Sequence, residues 1–362
     1  MTALGWPAAE PPGATMRAVQ FDRFGPPEVL YTARRPVPVP AADEVLVRVA
    51  AVGVGRFLDV QARAGRHPYP GFESPHVLGA EHAGVVVALG TDVTDVAIGA
   101  RVAVFPAVVD RSCRACVLGR TEQCETLRVI GIHRQGADAE YVAVPAGNVR
   151  VVPAGLDPAQ AASVALCGAV AANQLRQAGL RTGDRVLVQG GASALGAITA
   201  ALAKHLGAEV ITASRSPAKR AALAGLGFVA LDAAASDFVD QVRDRTDGRG
   251  ADLVVDNLGI PEVWASTMAS LALGGSVVCS GAFLGGPVSL NLAQLYSRSQ
   301  RVIGVRTGSV ASFDEVWREV ERGFRPVLDR AFPASSAAEA HRYLDSDGNV
   351  GRVVLLTGPS DW

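Results

Sequence analysis

Cys113, Cys116 and Cys124 fall within twelve residues, in the stretch DRSCRACVLGRTEQCE that runs from Asp110 to Glu125. Thiolates at this spacing are good zinc donors, but a closed tetrahedral site needs four ligands and the run supplies three cysteines. A second chemical signal lies in RVLVQGGASALGAITAALAKHLGAEVITASRSPAKR. There an apolar run at 185–189 enters Gly191-x-Ser193-x-x-Gly196, and a helical pattern follows. Gly191 allows a tight turn, and Ser193 is small enough for backbone to approach a pyrophosphate. Gly196 lets the helix lie close to the strand, and the N–H groups around Ala194 and Leu195 open its N-terminus to phosphate. The competing reading is a glycine-rich turn of an unrelated α/β protein. The strand–turn–helix–strand context favours the dinucleotide site.

The strand EVITAS indicates which dinucleotide. An NAD site places Asp or Glu at this strand end to hold the ribose hydroxyls. Here the end is Ser214, with Arg215 and then Lys219 following. A hydroxyl, a guanidinium and an ammonium suit a 2′-phosphate, which an acid would repel. The expectation is NADPH; the bland alternative is two solvated surface charges.

These residues need a scaffold, and the pattern supplies two. From Met16 to about Val152 the chain is β-rich, with EVLVRVAAVGV, HAGVVVALG, ARVAVFPAVV and AEYVAVP reading as strands between Gly, Pro and Asp. From Asp157 onward, short apolar strands alternate with helices, which implies a parallel sheet covered on both faces. A final segment returns to β structure, ending GRVVLLTG. The expected fold class is therefore α/β. A β-rich domain at 16–156 and 309–362 is interrupted by a doubly wound domain at 157–308. Residues 1–15 are expected to be a loose extension.

Composition narrows the function classes. The 362 residues carry a net charge of −1 and 49% hydrophobic residues, so sizeable cores are expected and no footprint for nucleic acid or anionic membrane is present. No apolar run reaches the ~18–20 residues of a spanning helix. The start has no signal-peptide pattern. Five cysteines, three of them clustered, argue for reduced thiols and a cytoplasmic location.

Together GAEHAGVVVALG, the nucleotide loop, VVDNLG, SGAFLGGPVSLNLAQLYSRSQRVIG, AEAHRYLDSDGNVGRVVLL and the cysteine run resemble the medium-chain dehydrogenase/reductase superfamily. Within it, the likeness is to the zinc-independent quinone oxidoreductase and enoyl reductase branch. It covers about residues 16–360 and implies a GroES-like catalytic domain beside a Rossmann domain. The family's zinc alcohol dehydrogenases take catalytic ligands from three places. Here those places carry Gly55, Ala80 and Cys167, with Glu81 retained and His82 displaced. One soft donor of three does not hold a catalytic zinc. The family's structural lobe reads C-x2-C-x2-C-x7-C, and Asp110 stands in register for the first cysteine. The resemblance thus implies either a structural zinc on Asp110, Cys113, Cys116 and Cys124, or a relic lobe with free thiols.

Roles follow residue by residue. Asn257, Gly259, Gly281 and Ala282 end later strands at the crevice where ligands of open α/β sheets lie. The resemblance assigns Arg352, and less directly Arg56, to the pyrophosphate. Tyr69 and His67 stand near the position of a proton-donating Tyr in enoyl reductases; the plain alternative is that they line a loop. The run near 301–308 resembles the edge strand through which family members form homodimers. The implied activity is hydride transfer from NADPH to an activated C=C bond. An iminium or carbonyl acceptor, or an NADPH-binding protein without turnover, are the alternatives.

Overall fold

The computed structural model describes residues 5–68, 72–282 and 285–362. Tyr69, one of the proton-donor candidates, lies outside them. The chain divides into two compact units. The first comprises Met1–Leu166, Ser309–Gly323 and Leu328–Trp362; the second comprises Cys167–Gly308 and Phe324–Val327. The helix Pro158–Ala165, assigned above to the nucleotide domain, belongs to the first unit. Its small residues are almost all buried, because they pack on strands of that unit.

The first unit is built on a seven-stranded sheet in the order Leu328–Pro333, Arg352–Leu356, Glu44–Val54, Glu81–Leu89, Arg101–Val104 and Val149–Val151, with Tyr141–Pro145 also pairing Glu44–Val54. All these pairings are antiparallel except the first. Valines fill the core because a β-branched side chain loses little rotamer freedom on a pleated surface. Within the stretch expected to be loose, Trp6 and Glu10 make contacts with the first unit. Trp6 Nε1 donates to the Leu156 carbonyl at 3.2 Å, its ring lies 5.8 Å from the Arg101 guanidinium, and Glu10 pairs with Arg48 at 3.0 Å. An indole that buries its face and satisfies its N–H holds a segment that has no regular structure of its own.

The second unit is a six-stranded, all-parallel sheet in the order Val229–Asp232, Glu209–Ser214, Arg185–Gln189, Ala251–Asp256, Leu271–Cys279 and Arg301–Gly304. The strand order reverses between Arg185–Gln189 and Ala251–Asp256. Their carboxyl ends therefore open the crevice in which such sheets bind ligands. No helix among the described residues is long and apolar enough to cross a membrane.

Candidate functional site

The nucleotide loop joins the strand Arg185–Gln189 to the helix Ala194–His205. The residue with a left-handed backbone is Gly190, at φ 63°, not Gly191, to which the sequence reading gave the turn. Gly191 serves a close approach: a Cβ there would lie 2.7 Å from Thr212 Cβ on the neighbouring strand. A Cβ on Gly196 would run into the Gly190 carbonyl oxygen, so the third glycine does seat the helix against the turn. Ser193 does more than stay small. Its side chain accepts from Gly196 N at 3.0 Å and caps the helix. A strand, a tight turn and a helix N-terminus in succession is the arrangement in which helices receive a phosphate.

At the next strand end, Ser214 Oγ accepts from Ser216 N at 3.3 Å, and Ser216 caps the helix Pro217–Gly225. Arg215 is exposed and makes no ion pair among the described residues, and Lys219 lies in the first turn of that helix. Arg220 was not singled out from the sequence. Its guanidinium donates to the carbonyls of Ser214 and Arg215 and pairs with Asp232 at 3.0 Å. Asp232, on the adjacent strand, is thereby engaged, and Arg215 and Lys219 follow Ser214 at this strand end.

Deeper in the second unit, Asn257 follows the strand Ala251–Asp256. Its Oδ1 accepts from Ser280 N and from Gln174 Nε2, both at 2.8 Å. A backbone N–H can only donate, so the amide orientation is fixed and Nδ2 must point away from Ser280 N. Gln174 is fully buried in the helix Cys167–Ala178 and was missed in the sequence, where it reads as an interruption of an apolar helix. Gly281 and Ala282 are exposed at the end of the adjacent strand, and Gly259 packs against Ala282.

In the first unit, Gly55 leads into a π-helix, Arg56–Val60, in which Val60 N donates to the Gly55 carbonyl at 3.2 Å. Phe57 is half exposed, and its ring lies tilted against that of His67 with centroids 4.8 Å apart. Burial, and then the charge of His133, press His67 down to about 4, so it is neutral at pH 7. Arg56 is held by the Leu344 carbonyl, Asp347 and Asn349. Arg352 is buried, with its guanidinium 2.6 Å from Glu81. Both of these proposed phosphate ligands thus have partners within their own unit. Glu81 also accepts from Leu166 N at 3.2 Å.

His82 sits in the strand Glu81–Leu89, wholly buried, with Nδ1 3.0 Å from the Ala80 carbonyl. Burial presses it to about 4. Gly55 and Ala80 offer no donor atom, and the catalytic-zinc positions of the family are not met by a metal-binding set. Asp59 was also missed. It is fully buried and accepts from Gly55 N at 2.7 Å and Gly79 N at 3.2 Å.

The cysteine lobe is different. One donor atom each from Asp110, Cys113, Cys116 and Cys124 lies within 4.8 Å of the others, and among the described residues this is the one such group. Tetrahedral zinc with ~2.3 Å Zn–S bonds asks for donors about 3.8 Å apart, so the set fits. Asp110 accepts from Ser112 N, Cys113 N and Thr126 Oγ1, which hold its carboxyl well below the usual range. Desolvation, then the Cys113 thiol, push the Cys116 thiol up to about 12. Crowded thiols resist ionising together unless a cation replaces their protons.

Comparison with known proteins agrees with this architecture. Residues 41–154 match the alcohol dehydrogenase GroES-like domain, and residues 194–322 match the zinc-binding dehydrogenase domain. The chain is 35% identical to L-galactonate-5-dehydrogenase of Escherichia coli over 320 residues, covering 87% of this chain and 92% of that protein. It is 30% identical to a quinone oxidoreductase of Pseudomonas aeruginosa, over 94% of this chain and 99% of that protein. A solved NAD-dependent alcohol dehydrogenase superposes with a TM-score of 0.89 at 35% identity, covering 95% of this chain and 100% of that one. The fold and the nucleotide cradle define a nicotinamide-dependent oxidoreductase. The chain belongs to the medium-chain dehydrogenase/reductase superfamily.

Proposed function

We propose that this protein is an NADPH-dependent reductase that adds hydride to an activated double bond (an enone, quinone or enoyl thioester) without a catalytic zinc. The observation that carries this reading is the donor set: Gly55 and Ala80 leave two of the three family ligand positions without a donor atom, and His82 is turned into the sheet. Polarising an isolated carbonyl without a metal forgoes several kcal/mol. A conjugated acceptor spreads the incoming charge onto its own carbonyl oxygen, where backbone N–H groups suffice. The quinone oxidoreductase relative supports this direction. The bound cofactor would supply the hydride; Gly191, Ser193 and Gly196 would hold its pyrophosphate, and Ser214, Arg215 and Lys219 its 2′-phosphate.

The L-galactonate-5-dehydrogenase relative favours a second reading, reduction of a carbonyl or iminium carbon. One screen separates them. NADPH oxidation is followed with quinones, enones, enoyl thioesters, cyclic imines and simple aldehydes. Turnover is expected with a conjugated or iminium acceptor, with little on aldehydes and no gain from added zinc. Aldehyde reduction that tracks zinc content would overturn the proposal. Binding of NADPH with no acceptor turned over would make this a binding protein.

We also propose a homodimer. The strand Arg301–Gly304 ends its sheet with Val302 exposed, and Leu290, Leu292 and Tyr296 are exposed just before it. An exposed apolar edge is normally covered, and pairing about a twofold axis covers it symmetrically. Light scattering at micromolar concentration is expected to give a dimer, and Val302→Lys to shift it toward monomer. A monomeric parent protein contradicts the proposal.

A further inference from the structure

A hydrogen-bond knot closes the carboxyl end of the sheet in the second unit. The strands Ala251–Asp256 and Leu271–Cys279 run parallel with Val255 opposite Val278, so the residues that follow them, Asn257 and Ser280, continue side by side. Asn257 Oδ1, not a main-chain carbonyl, takes the Ser280 N–H at 2.8 Å. The same oxygen accepts from Gln174 Nε2, also at 2.8 Å, out of the helix Cys167–Ala178. A side-chain acceptor ends the ladder and lets the main chain turn. Asp256 sets the turn from the other side: its Oδ1 accepts from Leu258 N and Gly259 N, and its Oδ2 from Thr267 Oγ1. Gly285 then lets the two turns touch, since a Cβ there would run into the Gly259 carbonyl oxygen. Asn257–Gly259 and Ser280–Ala282 form one lip.

Stability alone does not account for these amides. Gln174 is fully buried, and Gln174 Oε1, Asn257 Nδ2 and Ser280 Oγ are buried without a hydrogen-bond partner among the described residues. Buried polar atoms left unpaired destabilise, and an apolar side chain at 174 would pack with none of its own. Being covered, these atoms do not reach a ligand either. What the knot presents outward is main chain: Gly281 and Ala282 are exposed, and neither N–H donates to a described residue. We infer that Gln174 and Asn257 are positioning residues, which hold Ser280–Ala282 as the main-chain platform for the nicotinamide half of the cofactor.

The strand order says which half of a dinucleotide reaches that platform. The phosphate loop follows Arg185–Gln189, and Glu209–Ser214, whose end meets the adenosine ribose in such sheets, lies on one side of it. Ala251–Asp256 and Leu271–Cys279 lie on the other side. With the pyrophosphate at the loop and the adenosine over Ser214, the remaining nucleoside has to cross the ends of those two strands. The farther of them is two strand spacings, about 10 Å, from the loop strand, within reach of a nucleoside. The lip also touches the loop: a Cβ on Gly190 would stand 2.8 Å from Leu258 Cδ2. A nicotinamide ring carries a carboxamide, whose carbonyl oxygen accepts from main-chain N–H groups such as those of Gly281 and Ala282.

The inference rests on a nicotinamide dinucleotide binding here, and not on which acceptor is reduced. The probes are NADPH and 2′-phospho-ADP-ribose, the same molecule without its nicotinamide ring. The parent protein should bind NADPH more tightly. Gln174→Met and Asn257→Leu should cut that preference about 5- to 10-fold, the size of one net hydrogen bond, with the ringless probe held within about twofold. Unchanged binding of the ringless probe shows that the fold is intact. Asn257→Asp is the conservative variant: its carboxylate accepts from both donors and lacks only Nδ2, so the preference should stay. Amide exchange at Ser280 in the nucleotide-free protein reads the knot by itself. It should quicken about tenfold in Asn257→Leu and Gln174→Met and stay slow in Asn257→Asp. A preference that survives Gln174→Met, or equal affinity of the parent for the two probes, overturns the inference. So does its loss in Asn257→Asp, which would make Nδ2 a direct contact, or a matching loss of both probes in Gln174→Met, which would make Gln174 a packing residue. A parent that binds neither probe fails the nucleotide reading itself, and the platform falls with it; the exchange rates then decide the knot alone.

Discussion

Charge reversal at Arg215 is expected to weaken NADPH binding about 10- to 100-fold while leaving NADH within about twofold. Hydrogen bonds to a charged group contribute about 1.5–3 kcal/mol, and each 1.4 kcal/mol is about tenfold in affinity. Arg215 is exposed and makes no ion pair among the described residues, so it gives up no partner to meet a 2′-phosphate. Asp232, the nearby acid that would repel a phosphate, is engaged by Arg220. NADH lacks the phosphate and is indifferent to the change. Titration of both nucleotides against the parent and Arg215→Glu measures the effect. Equal affinities of the parent for NADPH and NADH would remove the assignment, and Ser214 would then act on the ribose alone.

The nucleotide half of this chain was legible because its determinants are local. Glycine at Gly191 and Gly196, a strand before and a helix after, and the missing acid at Ser214 all lie within one stretch of sequence. Even so, the turn belongs to Gly190 and the helix cap to Ser193, since φ and capping depend on where the helix begins. The first unit was less legible. Nothing in the sequence places Arg352 against Glu81, because that pair is made by strands far apart in the chain. A buried Asp and a solvated Asp read alike until burial is known. The π-helix Arg56–Val60 after Gly55 is a backbone event that the side chains of this run do not announce. Gln174 looked like a polar break in an apolar helix; its partner Asn257 stands 83 positions on.

Purified protein is expected to carry one zinc per chain, held by Asp110, Cys113, Cys116 and Cys124, and its removal should unfold the lobe without abolishing NADPH-linked turnover. A ligand at about a thousandfold over its Kd stabilises by about 4 kcal/mol. For a unit of this size that is about 10 °C in Tm. The short helix Arg114–Val117 has no buried residue, so packing alone gives it little reason to persist once the donors part. The loss should travel in one direction. Thr121 Oγ1 accepts from Val310 N at 2.8 Å and so caps the helix Val310–Glu321, which otherwise relies on Ser309. Chelation should therefore speed amide exchange at residues 310–313 as well as in the lobe. Asp110→Cys completes four thiolates and should hold zinc more tightly than the parent, whereas Asp110→Ala loses both the fourth ligand and the acceptor for Ser112 N and Cys113 N. Metal stoichiometry, Tm and turnover measured together before and after chelation decide it. Zinc absent from protein purified without chelator, with Tm unmoved by added zinc, would mean the lobe is held by packing and its thiols are free. Turnover lost in step with zinc would place the metal in the chemistry, against what Gly55 and Ala80 dictate.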